Sequence, residues 1–273
     1  MSLSLTGTLV LVGAGKMGGA MLEGWLKSGA DPKKINVLDP FASAEMKALL
    51  TRHGIALNPA VPSIRDVEVV LIALKPQMMD EVLPSLVGLG NSKPLILSIA
   101  AGKTIASFER HFGKSAAVIR TIPNTPAAIG RGITAMVANP NVSPKQLQLA
   151  TDLLSAIGEV VTVEREELID CVTAVSGSGP AYVFYLTECL ANAAEKIGLP
   201  PALAMQLARA TVAGSGELMR TTGTEAATLR QNVTSPKGTT HAALQVLMAE
   251  GGLQQLFEKA VKAAADRSRE LAS

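Results

Sequence analysis

Gly13, Gly15 and Gly18 stand in the spacing G-x-G-x-x-G within the stretch LVLVGAGKMGGA. Their value is geometric. A glycine at 13 permits a tight turn, one at 15 lets backbone approach a pyrophosphate, and one at 18 lets a helix lie close on a strand. The spacing acquires meaning only between a strand and a helix. The apolar run TLVLVG before it and the periodic KMGGAMLEGWLKSGA after it supply both. A helix start in that position aims its unpaired N–H groups at phosphate. The segment therefore reads as a dinucleotide loop, against the plain alternative of a structural glycine turn.

Asp39 closes the second apolar run, 21 residues after Gly18. A carboxylate there accepts hydrogen bonds from the adenosine ribose hydroxyls and repels a 2'-phosphate. The first basic residue after it is Lys47. Both facts favour NADH over NADPH, unless Arg52 or the Lys33–Lys34 pair folds inward; the alternative is that Asp39 only begins an Asp-Pro turn. In IALKPQ, residues Ala73, Lys75 and Pro76 fall at the C-terminal end of a strand, the edge where open α/β sheets bind ligands. SIAAG, which contains Ala100, Ala101 and Gly102, and IPNTP, which contains Asn124, belong on the same edge and are expected to bind the cofactor, framing the nicotinamide with backbone atoms rather than charged side chains. Asn124 both donates and accepts, in a loop stiffened by Pro123 and Pro126.

A bound nicotinamide implies hydride transfer, and the remaining residues must name the acceptor. His53, His111 and His241 are too scattered for a triad, and there is no metal-ligand cluster. Ketone reduction needs an acid of suitable pKa. The helix after SGSGP holds no lysine before Lys196, which argues against a β-hydroxyacid dehydrogenase. A protonated imine needs less: it is already an electrophile and has only to be held and aligned. In NVTSPKGTTHAALQVL, Pro236 marks an expected helix start, and Gly238, Thr239 and Thr240 offer N–H groups without intrahelical acceptors. Such an end receives a carboxylate. The ordinary alternative is a Ser/Thr-capped helix.

The elements that must carry these residues alternate. Strands are expected at TLVLVG, KINVLDP, VEVVLIALKP, PLILSIAAG, AAVIRTIPNTP, GITAMVAN and EVVTVE, with a Pro-rich loop after the fifth and helices between the others, including one started by Ser143-Pro144. This rhythm predicts a doubly wound α/β sheet: a Rossmann-type dinucleotide-binding domain over residues 1–163. From residue 164 to 273 only helical patterns appear, several apolar around most of their circumference. Helices of that kind want burial on more than one face. An all-helical C-terminal domain that dimerises is the expectation.

Composition narrows the remaining classes. Of 273 residues, 48 % are apolar and 18 % charged, which excludes disorder; only 3 % are aromatic, so the core must come from Ala, Val, Leu and Ile. The net charge of +2 is unclustered, and EKAVKAAADRSRE mixes both signs at helical spacing, so no nucleic-acid partner is expected. The glycine-bearing N-terminal stretch lacks a basic lead and reads as neither signal nor membrane span. Cys171 and Cys189 cannot form a disulfide framework and are expected as small buried hydrophobes in a reduced, cytoplasmic chain.

Almost the whole length resembles the pyrroline-5-carboxylate reductase family, through VGAGKMGGAM, ALKPQ, SIAAG, RTIPNTP, AVSGSGPAYVF and LRQNVTSPKGTTHAALQVL. The resemblance implies reduction of the C=N bond of Δ1-pyrroline-5-carboxylate by NAD(P)H to L-proline. It also implies a homodimer with interlocked C-terminal helices, often within rings of dimers. It implies that Ser235, Lys237, Gly238, Thr239 and Thr240 line the loop that takes the substrate carboxylate through backbone N–H groups. Thr240 would lie near the ring nitrogen as donor or orienting residue. Gly13, Ala14, Gly15, Lys16, Met17 and Gly18, with Ala73–Pro76 and Ala100–Gly102, would contact the cofactor, and Asn58 its ribose. Lys237 departs from the pattern, because many relatives carry glycine there; a lysine restrains the backbone if φ is positive. Competing readings are another dehydrogenase on the same scaffold, acting on a ketone or a different cyclic imine, and a non-catalytic nucleotide-binding protein.

Overall fold

The computed structural model describes residues 3–100 and 102–272. Eight strands form one sheet: β1 (Thr8–Val12), β2 (Ile35–Leu38), β3 (Ala56–Leu57), β4 (Val67–Ile72), β5 (Leu95–Ser98), β6 (Ala117–Ile122), β7 (Gly132–Ala138) and β8 (Gly158–Thr162). Their order is β3-β2-β1-β4-β5-β6-β7-β8. Neighbours are parallel except β6 and β7, which run antiparallel. The exception has a simple cause. Parallel neighbours need a crossover of a dozen or more residues, whereas only residues 123–131 join β6 to β7, with a 3-10 segment at Thr125–Ile129.

Alternation along the strands feeds two cores. Leu9, Leu11, Val69, Leu71, Leu95, Leu97 and Ile119 face α1 (Lys16–Lys27), α2 (Ala44–His53) and α5 (Pro144–Ser155). Val10, Val12, Val70, Ile72, Ile96 and Val118 face α3 (Met79–Leu86) and α4 (Ile105–Phe112). Local signals fix where these helices begin and end. Ser143 and Gln146 form a reciprocal capping box ahead of α5, with Pro144 in its first turn. Ser43 Oγ accepts the Met46 N–H at the start of α2, and Gly54 closes that helix at φ +65°. Trp25 Nε1 donates to Leu153 O at 2.8 Å, tying α1 to α5 inside the core.

Strands end at Thr162, and helices follow: α6 (Leu168–Val172), a π-helical turn at Thr173–Gly177, α7 (Gly179–Lys196), α8 (Pro201–Thr222), α9 (Ala226–Asn232), α10 (Thr239–Leu247) and α11 (Leu253–Ala272). The chain divides into two compact units, one of residues 1–177 with 264–273, the other of residues 178–263. The break thus falls after α6, later than the change of rhythm near 164. The cause is burial: Ile169 is fully buried in the second core of the sheet, so α6 belongs with the strands. The last turns of α11 return to the same unit, where Ser268 Oγ donates to the buried Asp170 carboxylate at 2.6 Å.

In the second unit, only Ala191, Ala204 and Ala208 are buried among the described residues. Tyr182 and Phe257 meet edge to face at 6.2 Å, while Phe184, Tyr185, Val246, Met248 and Leu256 stay exposed. One expectation is corrected here. Cys171 and Cys189 are both exposed rather than buried. Cys189 lies on α7, whose faces are largely bare in one chain, and Cys171 follows the two α6 residues that do turn inward, Ile169 and Asp170. The apolar stretch from Thr239 forms two helices, α10 and α11, separated by a turn with Gly251 at φ +75° and Gly252. No described helix is long and apolar enough to cross a membrane.

Candidate functional site

The order of the strands reverses between β1 and β4, the position where an open α/β sheet opens a crevice. The glycine turn lies there. Gly13 adopts φ +91°, and a Cβ on it would lie 2.7 Å from Ala73 O. A Cβ on Gly18 would strike the Gly13 carbonyl oxygen. Gly15 is different: a Cβ there meets nothing within 4 Å, so the fold itself leaves room for a side chain at this position. Gly15 caps α1 without a side-chain hydrogen bond, and the first N–H to bond inside the helix is that of Gly19, to Gly15 O at 2.7 Å. The N–H groups of Lys16, Met17 and Gly18 precede it and have no helical carbonyl behind them. Gly15 and Lys16 are exposed, Met17 half-buried, Ala14 and Gly18 buried.

Asp39 is tied to this turn. Its Oδ2 accepts the Ala14 N–H at 2.7 Å and its Oδ1 that of Phe41 at 2.8 Å. Asn58, at φ +54°, closes the other side. Its Oδ1 accepts the Asp39 N–H at 2.7 Å, and its Nδ2 donates to Asp39 O at 3.1 Å. Asparagine tolerates that left-handed backbone better than most residues. A groove of about 990 Å³ runs beside these groups, lined by Gly15, Lys16, Asp39, Phe41 and Ser43 among others.

The rest of the edge follows strand by strand. Ala73 N–H continues the β1–β4 ladder onto Val12 O at 2.8 Å; Ala73 and Pro76 are half-buried and Lys75 exposed. Ala100 is buried, its N–H on Ser98 Oγ at 3.2 Å. Gly102 has φ +71°, and a Cβ there would approach Leu271 O to 3.1 Å. Ala101 lies outside the described residues. Lys103 donates to Asp80 at 3.0 Å and, beside it, holds that carboxyl below the ordinary carboxylate range. Asn124 completes the edge at the end of β6. Its Oδ1 accepts the Ile133 N–H at 3.0 Å, and its Nδ2 donates to Ser176 O at 3.1 Å.

Residues 235–240 form their own arrangement in the second unit. Gly238 N–H bonds Ser235 O at 3.0 Å, closing a turn with Pro236 and Lys237 at its centre. Lys237 adopts φ +61°, so the restraint expected of a lysine in a glycine position is real. The helix itself begins later than expected, at Thr239: Pro236 serves the turn, and Gly238 is the cap. That cap has no side chain to offer, and Ala242 is the first N–H to bond within α10, to Gly238 O at 3.1 Å. The N–H groups of Thr239, Thr240 and His241 stand ahead of it. Ser235, Lys237 and Thr239 are exposed, Gly238 and Thr240 half-buried. Each of the two sets is thus assembled within its own unit. Among the described residues, no group of three or more His, Cys, Asp or Glu side chains could hold a metal ion.

Sequence reasoning passed over two polar contacts behind the edge. Arg120, 2 % exposed on β6, pairs through Nη1 with Glu166 Oε1 at 2.9 Å, and the same oxygen accepts the Ile105 N–H at 2.8 Å. Ser176 receives the Asn124 bond. An arginine inside the apolar run AAVIRTI was the signal available for the first; nothing in the sequence marked the carbonyl of Ser176.

A reversing parallel sheet, a glycine turn at its switch point and an uncapped helix start define a Rossmann-type nicotinamide-dinucleotide oxidoreductase scaffold. Residues 8–102 match the family model described as NADP oxidoreductase, coenzyme F420-dependent, and residues 166–271 the one for pyrroline-5-carboxylate reductase dimerisation. A pyrroline-5-carboxylate reductase of Synechocystis is 42 % identical, covering 96 % of this chain and 97 % of its own. The solved structure of a Coxiella burnetii pyrroline-5-carboxylate reductase superposes with TM-score 0.91 at 34 % identity, over 98 % of this chain and all of that one. That of Plasmodium falciparum pyrroline carboxylate reductase, with NADP bound, gives 0.82 at 26 % identity over 98 % and 99 %. The chain belongs to the pyrroline-5-carboxylate reductase family.

Proposed function

We propose that this chain reduces the C=N bond of Δ1-pyrroline-5-carboxylate with hydride from NAD(P)H to give L-proline, the last step of proline biosynthesis. The observation that carries the reading is the start of α10. A glycine cap without a side chain leaves the Thr239, Thr240 and His241 N–H groups for a small carboxylate, in a chain whose other unit is a dinucleotide scaffold. Hydride adds to the imine carbon of the protonated ring. The C=N π pair moves to nitrogen, which keeps its proton and becomes the secondary amine of proline. No strong acid is required. Thr240 donates to or orients the ring nitrogen, and Ser235, Lys237, Gly238 and Thr239 surround the carboxylate.

On the cofactor side, Gly13–Gly18, Ala73, Lys75, Pro76 and Ala100–Gly102 line the dinucleotide, with Asn58 and Asp39 near the adenosine ribose. Asp39 supports a preference for NADH. Each of its oxygens accepts one backbone N–H, which leaves further lone pairs for ribose hydroxyls and holds a negative charge where a 2'-phosphate would go. Residues 1–163 serve the cofactor and 164–273 the substrate and self-association. The exposed apolar side chains of the second unit, against three buried alanines, support a homodimer with interlocked helices that can build rings of dimers. The two free cysteines suit the reducing cytoplasm, and neither nucleic acid nor membrane is a partner.

The assay that tests this is spectrophotometric oxidation of NADH and of NADPH with pyrroline-5-carboxylate, beside a panel of 2- and 3-keto acids. Turnover with the imine and higher kcat/KM with NADH are expected. No turnover with the imine would sink the reaction, and preference for NADPH would overturn the role given to Asp39. Light scattering at micromolar concentration should report an oligomer; a stable monomer would contradict the helical interface.

A further inference from the structure

Asn124 spends its side chain on two backbone groups that lack their ordinary partners, one of them because of a proline. The β6–β7 register pairs Ile122 with Ala135 and Ile119 with Ala138. Continued by two residues, it sets Asn124 opposite Ile133. The backbone carbonyl of Asn124, which would face that residue's N–H, is already taken by the Ala127 N–H at 3.1 Å. The Ile133 N–H therefore needs another acceptor, and Asn124 Oδ1 supplies it at 3.0 Å.

The second gap is in the π-turn at Thr173–Gly177. The carbonyl of Ser176 would take the N–H four residues on, but residue 180 is proline. The N–H five residues on, that of Ala181, bonds Ser178 O at 3.0 Å instead. Asn124 Nδ2 donates to the Ser176 carbonyl at 3.1 Å. One gap needs an acceptor and the other a donor, and a carboxamide carries both on one short fork. The turn so held stands over the end of β6: a Cβ at Gly177 would lie 3.5 Å from Ile122 Cγ2. This is the nicotinamide half of the sheet edge, beyond the switch point at β1 and β4. Widened π-turns cluster at functional sites.

We propose that Asn124 is a positioning residue for hydride transfer. By holding the π-turn at 173–177 against the C-terminal end of β6, it fixes the wall along which the nicotinamide is aligned for hydride transfer, and it acts through Ser176 rather than on the dinucleotide. The proposal rests on the reductase reading above.

Asn124→Asp keeps the acceptor for Ile133 and turns the donor toward Ser176 into a second acceptor, so it breaks one half of the clamp. The expected result is a folded oligomer whose NADH Kd, by fluorescence titration, stays within about twofold, while kcat falls on the order of 30-fold because alignment is lost. The isotope effect with NADH deuterated at the transferred position should rise as hydride transfer becomes the slow step. Asn124→Gln, with both groups on a longer arm, should recover part of kcat. It carries the same comparison should Asn124→Asp not fold. A weakened NADH Kd with unchanged kcat would make Asn124 a direct cofactor contact and overturn the proposal. Unchanged kinetics with a lower Tm would make the clamp merely structural and overturn it equally. If the wild-type chain does not reduce the imine, the reductase reading falls by itself. Hydrogen exchange at residues 173–178 still judges the clamp: faster exchange in Asn124→Asp supports it, and no change refutes it.

Discussion

The buried guanidinium of Arg120 is anchored by the Glu166 carboxylate, 2.9 Å from its Nη1, while its Nε and Nη2 find no partner among the described residues. Glu166 therefore joins three segments of the cofactor edge. It neutralises the strand that leads into IPNTP, caps the helix that follows SIAAG through Ile105, and stands two residues before α6.

Removing the carboxylate should cost more than removing the arginine. Glu166→Ala strands a buried charge and is expected to lose on the order of 3 kcal/mol in urea unfolding at fixed protein concentration. Arg120→Met removes the charge with the partner and should lose less. Equal losses would mean that Arg120 reaches water.

The glycine turn separates folding from binding. Gly18→Ala drives a methyl into the Gly13 carbonyl and should destabilise the empty protein by about 3 kcal/mol. Gly15→Ala has open space and should leave the Tm of the empty protein unchanged. It should weaken NADH binding on the order of tenfold, the worth of one charge-assisted hydrogen bond. Calorimetry with and without cofactor reads both.

Lys237→Gly relieves a left-handed backbone worth about 1 kcal/mol, but glycine loosens the unfolded chain by a similar amount, roughly 0.4–1 kcal/mol. Stability should thus stay close to its present value. In the proposed site the exposed ammonium would attract the substrate carboxylate at long range, so KM for the imine should rise about two- to fivefold with kcat retained. The difference should shrink in salt. An unchanged KM would take Lys237 out of the substrate site.

Thr240→Ala should fold normally, since its side chain does not cap α10. It should lose about tenfold in kcat/KM, the scale of one hydrogen bond at the ring nitrogen. Thr240→Ser should retain most of the activity, and identical kinetics for Ala would remove Thr240 from the mechanism.

Seven of the strands were legible as short apolar runs, and the glycine and Ser-Pro signals placed α1 and α5. The direction of β7 was not read, because apolar alternation carries no sign of strand direction; the nine-residue link before it was the clue. β3, only Ala56–Leu57, is too short to show a period. Among the proposed site residues, the contiguous loops were found by motif. Glu166 and Ser176 were not, because what they do depends on a partner 46 and 52 residues away, and in Ser176 the working atom is a carbonyl that every residue has.

The hydrogen bond between Ser268 and Asp170 spans 98 residues. A chain leaving the ribosome completes all eight strands long before residue 268 exists. Until then the Asp170 carboxylate must stay hydrated, and α6 cannot settle at no cost onto the finished sheet. The sheet unit is thus the first to start and among the last to close, so a chain interrupted before α11 would hold a nearly finished sheet with a hydrated acid still waiting for its donor.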